Sequence, residues 1–226
     1  MGIRAVEAVG DWTSSGIWKA HFFLKQLGDQ QIPIDYWRRA DGPRAILLPG
    51  VWEPWGSLTY WADALYKDGW DVHFVPEVDL QFGPIATLAA KVEPYLVGRP
   101  VVIAHSKGGL VAKQCLINNP DSIRGLIAVC TPFHGAPLSR LMPRFTQVGD
   151  LSPENETLRA IGRHRASSKR TVLIESQWDQ DVPTAGWHEA GSYSQVPVRG
   201  HNAPLYSPAA TDIICKYADH IRNNWD

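Results

Sequence analysis

Apolar runs of strand length alternate along the chain with longer stretches of mixed character. Ala45–Pro49, Asp71–Val75, Val101–Ala104, Leu126–Cys130, Thr171–Glu175 and Gln195–Val198 predict strands. Ser57–Lys67, Ile85–Val97, Lys107–Asn118 and Thr211–Asn223 predict helices. Gly69 stops the first helix, Pro94 kinks or shortens the second, and Pro120 limits the third. Several of the strand runs are apolar throughout rather than alternating, as strands buried on both faces are. The order predicts an α/β domain whose mostly parallel sheet is covered by helices on both faces. Residues 132–169 carry no strand signal and are rich in Pro, Arg and Ser, which predicts a small lid-like excursion over the sheet. Residues 1–40 give no clear element. No repeat, low-complexity tract or linker divides the chain, so its 226 residues read as a single domain.

Composition narrows the function classes. Lys and Arg number 22 against 23 Asp and Glu, for a net charge of -1, and no basic stripe stands out. A nucleic-acid partner is therefore not expected. The start, MGIRAVEAVGDW, lacks a basic segment followed by an apolar run, and no stretch approaches a membrane span, so a cytoplasmic location is expected. Three widely spaced cysteines (115, 130 and 215) fit reduced thiols better than a disulfide framework. Ten Trp is a high count, which leaves contact with a membrane surface open. No H-E-x-x-H, C-x-x-C pair, P-loop or G-x-G-x-x-G occurs, so neither a metal nor a cofactor is expected.

The central chemical signal is Val101-Val-Ile-Ala-His-Ser106-Lys-Gly-Gly-Leu110. An apolar strand runs into Ser106 and a helix follows at once. A serine hydroxyl is a weak nucleophile and must stand clear of the sheet, where a base can reach it. A sharp strand-to-helix turn achieves this, and small residues two positions either side, Ala104 and Gly108, relieve the crowding. His105 is expected to point away from Ser106 into the sheet packing.

A nucleophile in this setting takes its acid and then its base from later strands. Thr171–Glu175 leads into Ser-Gln-Trp-Asp179-Gln-Asp181-Val-Pro, where both Asp179 and Asp181 qualify by spacing. Asp179 is preferred as the first of the two. The last predicted strand leads into Arg-Gly-His201-Asn, which places His201 as the base. Such a base predicts kcat/KM rising through roughly pH 6–7.5. The backbone N–H groups of Lys107 and of Val51, just after Pro49-Gly50, are the expected oxyanion donors. Trp52 and Trp55 in that loop, and Phe133 and His134 in Thr131-Pro-Phe-His-Gly-Ala136, are candidates for lining a substrate cleft.

Taken together, Leu-Pro-Gly-Val, Ala-His-Ser-Lys-Gly-Gly, Thr-Pro-Phe-His-Gly-Ala, Asp150-Leu-Ser-Pro153, Trp-Asp179-x-x-Val-Pro and Gly-His201 resemble bacterial lipases and esterases of the α/β-hydrolase superfamily over roughly residues 44–223. Ala104 stands where the first elbow glycine is usual, and Pro49-Gly50 where His-Gly is common. The resemblance implies the α/β-hydrolase fold and cofactor-free hydrolysis of a carboxylic ester, lipid-like in character, through an acyl-enzyme on Ser106. A thioesterase, an acyltransferase or a perhydrolase would use the same triad. A non-catalytic binding module on this fold is the third alternative.

Overall fold

The computed structural model describes residues 9–13, 16, 17, 20, 33–137, 139, 149–182 and 190–225. Six strands are present among them: β1 (Arg44–Leu48), β2 (Asp71–Phe74), β3 (Val101–His105), β4 (Gly125–Val129), β5 (Thr171–Trp178) and β6 (Ser192–Arg199). They form one sheet in the order β2-β1-β3-β4-β5-β6, and every neighbouring pair is parallel. From residue 33 onward the helices are α1 (Thr59–Lys67), α2 (Ile85–Val92), α3 (Lys107–Asn118), α4 (Glu156–Arg163), α5 (Arg165–Ser168) and α6 (Pro208–Asn224).

The all-apolar strand runs are explained by the two faces. Leu48, Ala104 and Ala128 lie in register on β1, β3 and β4, and Leu173 continues the row on β5. All four belong to a core shared with Ile85, Leu88 and Val92 of α2 and Leu110, Val111 and Cys115 of α3. The alternate residues Leu47, Ile103, Ile127 and Val172 turn to the other face. They pack with Trp61 and Leu65 of α1 and with Ala210, Ile214, Ala218 and Ile221 of α6. The helical residues recur at three- and four-residue spacing, so each helix presents one apolar stripe to the sheet. Because all strands run the same way, their C-terminal ends share one edge of the sheet, where open α/β sheets place ligands.

Some boundaries differ from the sequence pattern, each for a local reason. The segment before α1 is a 3-10 turn, Trp55–Leu58. Pro94 lies in a further 3-10 turn, Glu93–Tyr95, because it has no N–H to continue α2. The excursion at 132–169 is only partly described, since 138 and 140–148 lie outside the described residues. In its second half α4 and α5 pack against α3 as part of the crossover from β4 to β5. Lys113 Nζ fastens them by donating to the Gly162 carbonyl at 3.1 Å and to Ser168 Oγ at 2.9 Å. No described helix is long and apolar enough to cross a membrane.

Candidate active site

β3 ends at His105, and the chain turns into α3 through Ser106, whose φ of 51° and ψ of -124° lie outside the ordinary regions for a side-chain-bearing residue. Holding such a backbone costs on the order of 1–3 kcal/mol. The turn fits only because its neighbours are small. A Cβ on Gly108 would lie 2.5 Å from the Pro49 carbonyl oxygen and 2.7 Å from that of Leu48. The Ala104 methyl group is packed on the sheet face with Leu48 and Ala128.

Three elements converge on the Ser106 hydroxyl. His201, just past β6, places Nε2 3.0 Å from Ser106 Oγ. Its Nδ1 lies 2.7 Å from Asp179 Oδ2, just past β5. The other Asp179 oxygen accepts the backbone N–H groups of Asp181 and Val182, both at 2.8 Å. Asp179 is thus the acid beside the imidazole. Asp181 instead supplies an amide to it and accepts the Trp12 indole N–H at 3.2 Å. Burial alone would push the His201 pKa down and the Asp179 pKa up, but each group's opposite charge wins. Asp179, helped by Asp181 and Glu53, lifts the imidazole to about 9. The imidazolium and the two amides hold the Asp179 carboxyl below its usual range. A base of this kind titrates above the interval of roughly pH 6–7.5 expected for an ordinary imidazole.

The loop after β1 passes directly against the serine. A Cβ on Gly50 would lie 2.9 Å from Ser106 Cβ. Gly50 N donates to Glu53 Oε2 at 2.7 Å, Trp52 N to the Leu80 carbonyl at 3.0 Å and Glu53 N to the Gly50 carbonyl at 3.3 Å. Among the described residues these bonds leave the Val51 N–H with no internal acceptor, and Val51 lines the cleft beside Ser106. Lys107 opens α3, so its N–H is a first-turn donor outside the helical ladder. Its side chain is buried, with Nζ donating to the Gly83 carbonyl at 2.7 Å and lying 3.8 Å from Asp150. Burial pushes this amine down to about 8 against the opposing pull of Asp150.

Ser106 and His201 open onto a cleft of about 320 Å³ with mostly apolar walls, among them Val51, Trp52, Pro132, Ala136 and Leu151. Trp52 is therefore at the cleft. Trp55 is not, because it packs edge-on against Trp37 and beside Phe74 in the core. Phe133 is likewise drawn into the core, with Lys113 Nζ 4.9 Å from its ring, and His134 faces solvent. Their neighbours Pro132 and Ala136 supply the wall instead.

The sequence reading missed two sets of residues. Trp12 and Gly16 wall the cleft, and Asp11 accepts from Gln180 Nε2 at 2.7 Å and from Asn202 N at 3.2 Å, on either side of His201. Gln180 also accepts the His201 N–H at 3.2 Å. No periodicity marks these N-terminal residues. The second set is Glu53 and His105, a buried pair 2.8 Å apart. His105 leaves the Ser106 hydroxyl, as expected, but reaches the His201 carbonyl oxygen at 3.0 Å. An acid inside the apolar run Gly-Val-Trp-Glu-Pro-Trp was the one available signal. His21 and His188 lie outside the described residues.

Two groups, His105-Cys130-His201 and Asp179-Asp181-His201, bring potential metal-ligating atoms within 4.8 Å of one another. Both ring nitrogens of His201 already face Ser106 and Asp179, so an ion would have to displace those bonds. Cys130 is a free thiol, pushed well up by burial.

No family model matches the sequence, and no curated protein matches it. Solved structures do match in shape. Aspergillus fumigatus lipase B superposes with a TM-score of 0.65 at 19% identity, over 81% of this chain and 54% of that one, so this chain spans about half the length of the fungal enzyme. The mature form of Bacillus licheniformis lipase BlEst2 gives 0.61 at 14% identity, over 80% and 94%. The metagenomic carboxyl esterase MGS0156 gives 0.57 at 16%, over 81% and 77%. With the parallel sheet, the two helical layers and the strand-to-helix turn at Ser106, this likeness identifies the architecture: the chain has the α/β-hydrolase fold.

Proposed function

We propose that this protein is a serine hydrolase that cleaves carboxylic esters, with Ser106, His201 and Asp179 as its triad. The observation that carries the reading is the unbroken line from Ser106 Oγ through His201 to Asp179, with contacts of 3.0 and 2.7 Å, opening onto a mostly apolar cleft. The structural neighbours named as lipases and an esterase support a hydrolase of this class.

The steps follow from the geometry. Ser106 Oγ attacks the ester carbonyl carbon while His201 Nε2 takes its proton. Asp179 holds the Nδ1–H and stabilises the imidazolium. The carbonyl oxygen becomes an oxyanion, received by the Val51 and Lys107 backbone N–H groups, and donors of this kind contribute roughly 2.7–4 kcal/mol each. Collapse of the adduct releases the alcohol, which takes the proton from His201 and leaves an acyl group on Ser106. Water, deprotonated by His201, then frees the carboxylic acid. A cleft near the lower end of ligand-pocket volumes, about 300 Å³, favours short and medium acyl chains. Trp52 and Trp12 are the aromatic surfaces such a chain would meet.

The test is hydrolysis of p-nitrophenyl esters from acetate to palmitate by wild type and by Ser106→Ala. Wild-type turnover with a loss of about 10³-fold or more in the variant is the expected result. Equal rates would remove Ser106 from the mechanism. Thioester and acyl-acceptor substrates run in parallel separate a thioesterase, an acyltransferase or a perhydrolase from an esterase. The cytoplasm is the proposed site of action.

A further inference from the structure

Glu53 and His105 take no part in the line from Ser106 to Asp179, yet they touch both sides of it. Glu53 sits in the loop after β1 and is 1% exposed, while His105 ends β3 and is fully buried. His105 Nδ1 lies 2.8 Å from Glu53 Oε1 and 2.9 Å from Oε2. His105 Nε2 must carry a proton, because its partner at 3.0 Å is the carbonyl oxygen of His201. On the other side, Glu53 Oε2 accepts the Gly50 N–H at 2.7 Å, one residue before Val51. The His105 ring also lies 4.9 Å from the His201 ring, centre to centre.

Burying a carboxylate and an imidazole carries a desolvation cost, and apolar residues of similar volume often hold a core as well or better. Packing therefore does not account for the pair. Its geometry does: one rigid unit joins the loop that presents the Val51 amide to the backbone that presents the base. We infer that Glu53, acting through His105, is a positioning residue that fixes the Val51 loop and His201 at the separation the reaction requires. The inference rests on the hydrolase reading above. A displacement of about 1 Å at such a site costs on the order of 10²-fold in rate.

The substitution Glu53→Gln separates placement from charge. Its amide oxygen accepts from Gly50 N, its NH₂ donates to His105 Nδ1, and the Nε2–H bond to His201 is kept. Glu53→Ala leaves both the Gly50 N–H and His105 Nδ1 without that partner. Wild type and both variants, each confirmed folded by circular dichroism, are assayed on the best ester of the series. Glu53→Ala is expected to lower kcat about 10²-fold with KM nearly unchanged. Glu53→Gln is expected to recover at least about tenfold of that loss. If the alanine variant does not fold, Glu53→Asp, one carbon too short to span both partners, takes its place.

A second readout needs no turnover. The His201 ring is titrated by NMR in the same proteins. It faces Asp179, Asp181 and Glu53, with His105 and Cys130 beside it. Loss of the Glu53 carboxylate, one of the charges favouring the imidazolium, moves the midpoint down in Glu53→Ala. A role confined to stability would lower Tm and leave kcat and this midpoint in place. Wild-type kcat in Glu53→Ala, no recovery in Glu53→Gln, or an unmoved midpoint would each overturn the inference. If wild type cleaves no ester, the hydrolase reading fails separately and the titration alone decides the link between Glu53 and His201.

Discussion

Among the described residues, two His–Asp pairs are chemically alike and behave oppositely. At the C-terminal edge of the sheet, His201 meets Asp179 at 2.7 Å. At the start of β2, His73 meets Asp71 at 2.5 Å. Burial lowers the basicity of both rings, and in both the carboxylate opposes it. The outcome is set by what stands around the pair. His201 has two further carboxylates, Asp181 and Glu53, and ends at about 9. His73 has Arg44 and Arg38, and ends below its ordinary value. Only His201 has a hydroxyl within reach of its second nitrogen. An acid beside an imidazole is therefore not a base in waiting. The surrounding charge and the third group decide it.

The comparison breaks most visibly at the carboxylates. In Asp179→Asn the amide NH₂ donates to His201 Nδ1, so the ring proton moves to Nε2 and faces Ser106 in the wrong tautomer. A loss of roughly 10³–10⁴-fold in kcat/KM is expected. Asp71→Asn, remote from the serine, should leave kcat/KM within about twofold. Steady-state kinetics on one ester reads both, and similar losses in the two variants would erase the distinction drawn between the pairs.

A buried charge beside Ser106 sharpens the contrast through stability. The Lys107 amine falls from 10.5 to about 8 on folding. Between those values the unfolded chain holds more protons than the folded one, so this group's contribution to stability rises with pH. His201 acts in the opposite sense: raised from 6.5 to about 9, it contributes stability that is lost as pH climbs through that interval. Lys107→Met removes the first effect and keeps the backbone N–H. Its stability advantage over wild type should be largest near pH 7 and shrink by on the order of 3 kcal/mol toward pH 10.5. Urea denaturation at several pH values tests this, and a difference that does not vary with pH would contradict it.

The smallest effect concerns the acid limb of the rate profile. On the proposed mechanism activity should be lost as pH falls, when His201 takes up its proton, and the midpoint should lie above that of an ordinary imidazole, toward 9. Asp181→Asn removes one of the charges that raise it, and keeps the amide that Asp179 accepts. The limb should move to lower pH by less than about one unit. A limb that stays in place would leave the elevation to Asp179 and Glu53.

What the sequence disclosed follows from how local each signal is. The turn at Ser106 could be read because strand, small residues and helix are contiguous. Asp179 and His201 could be read because strand ends occur in a fixed order. Asp179 could be preferred over Asp181 because it comes first in Asp-x-x-Val-Pro, and in the structure it is Asp179 that takes two amides while facing the ring. Trp55 and Phe133 were misplaced because whether an aromatic side chain faces core or cleft depends on neighbours far along the chain. Glu53 meets His105 across 52 residues, and Asp11 meets Asn202 across 191. Nothing in either neighbourhood's pattern announces such a contact.

The backbone at Ser106 has one more consequence. Its positive φ is a conformation that glycine adopts without strain and serine does not. Random change that improves folding at this position thus leads to glycine and to the loss of the proposed nucleophile. If Ser106 is the nucleophile proposed above, a serine persists there only while something rewards the chemistry, so position 106 is where drift would register that the activity had ceased to matter.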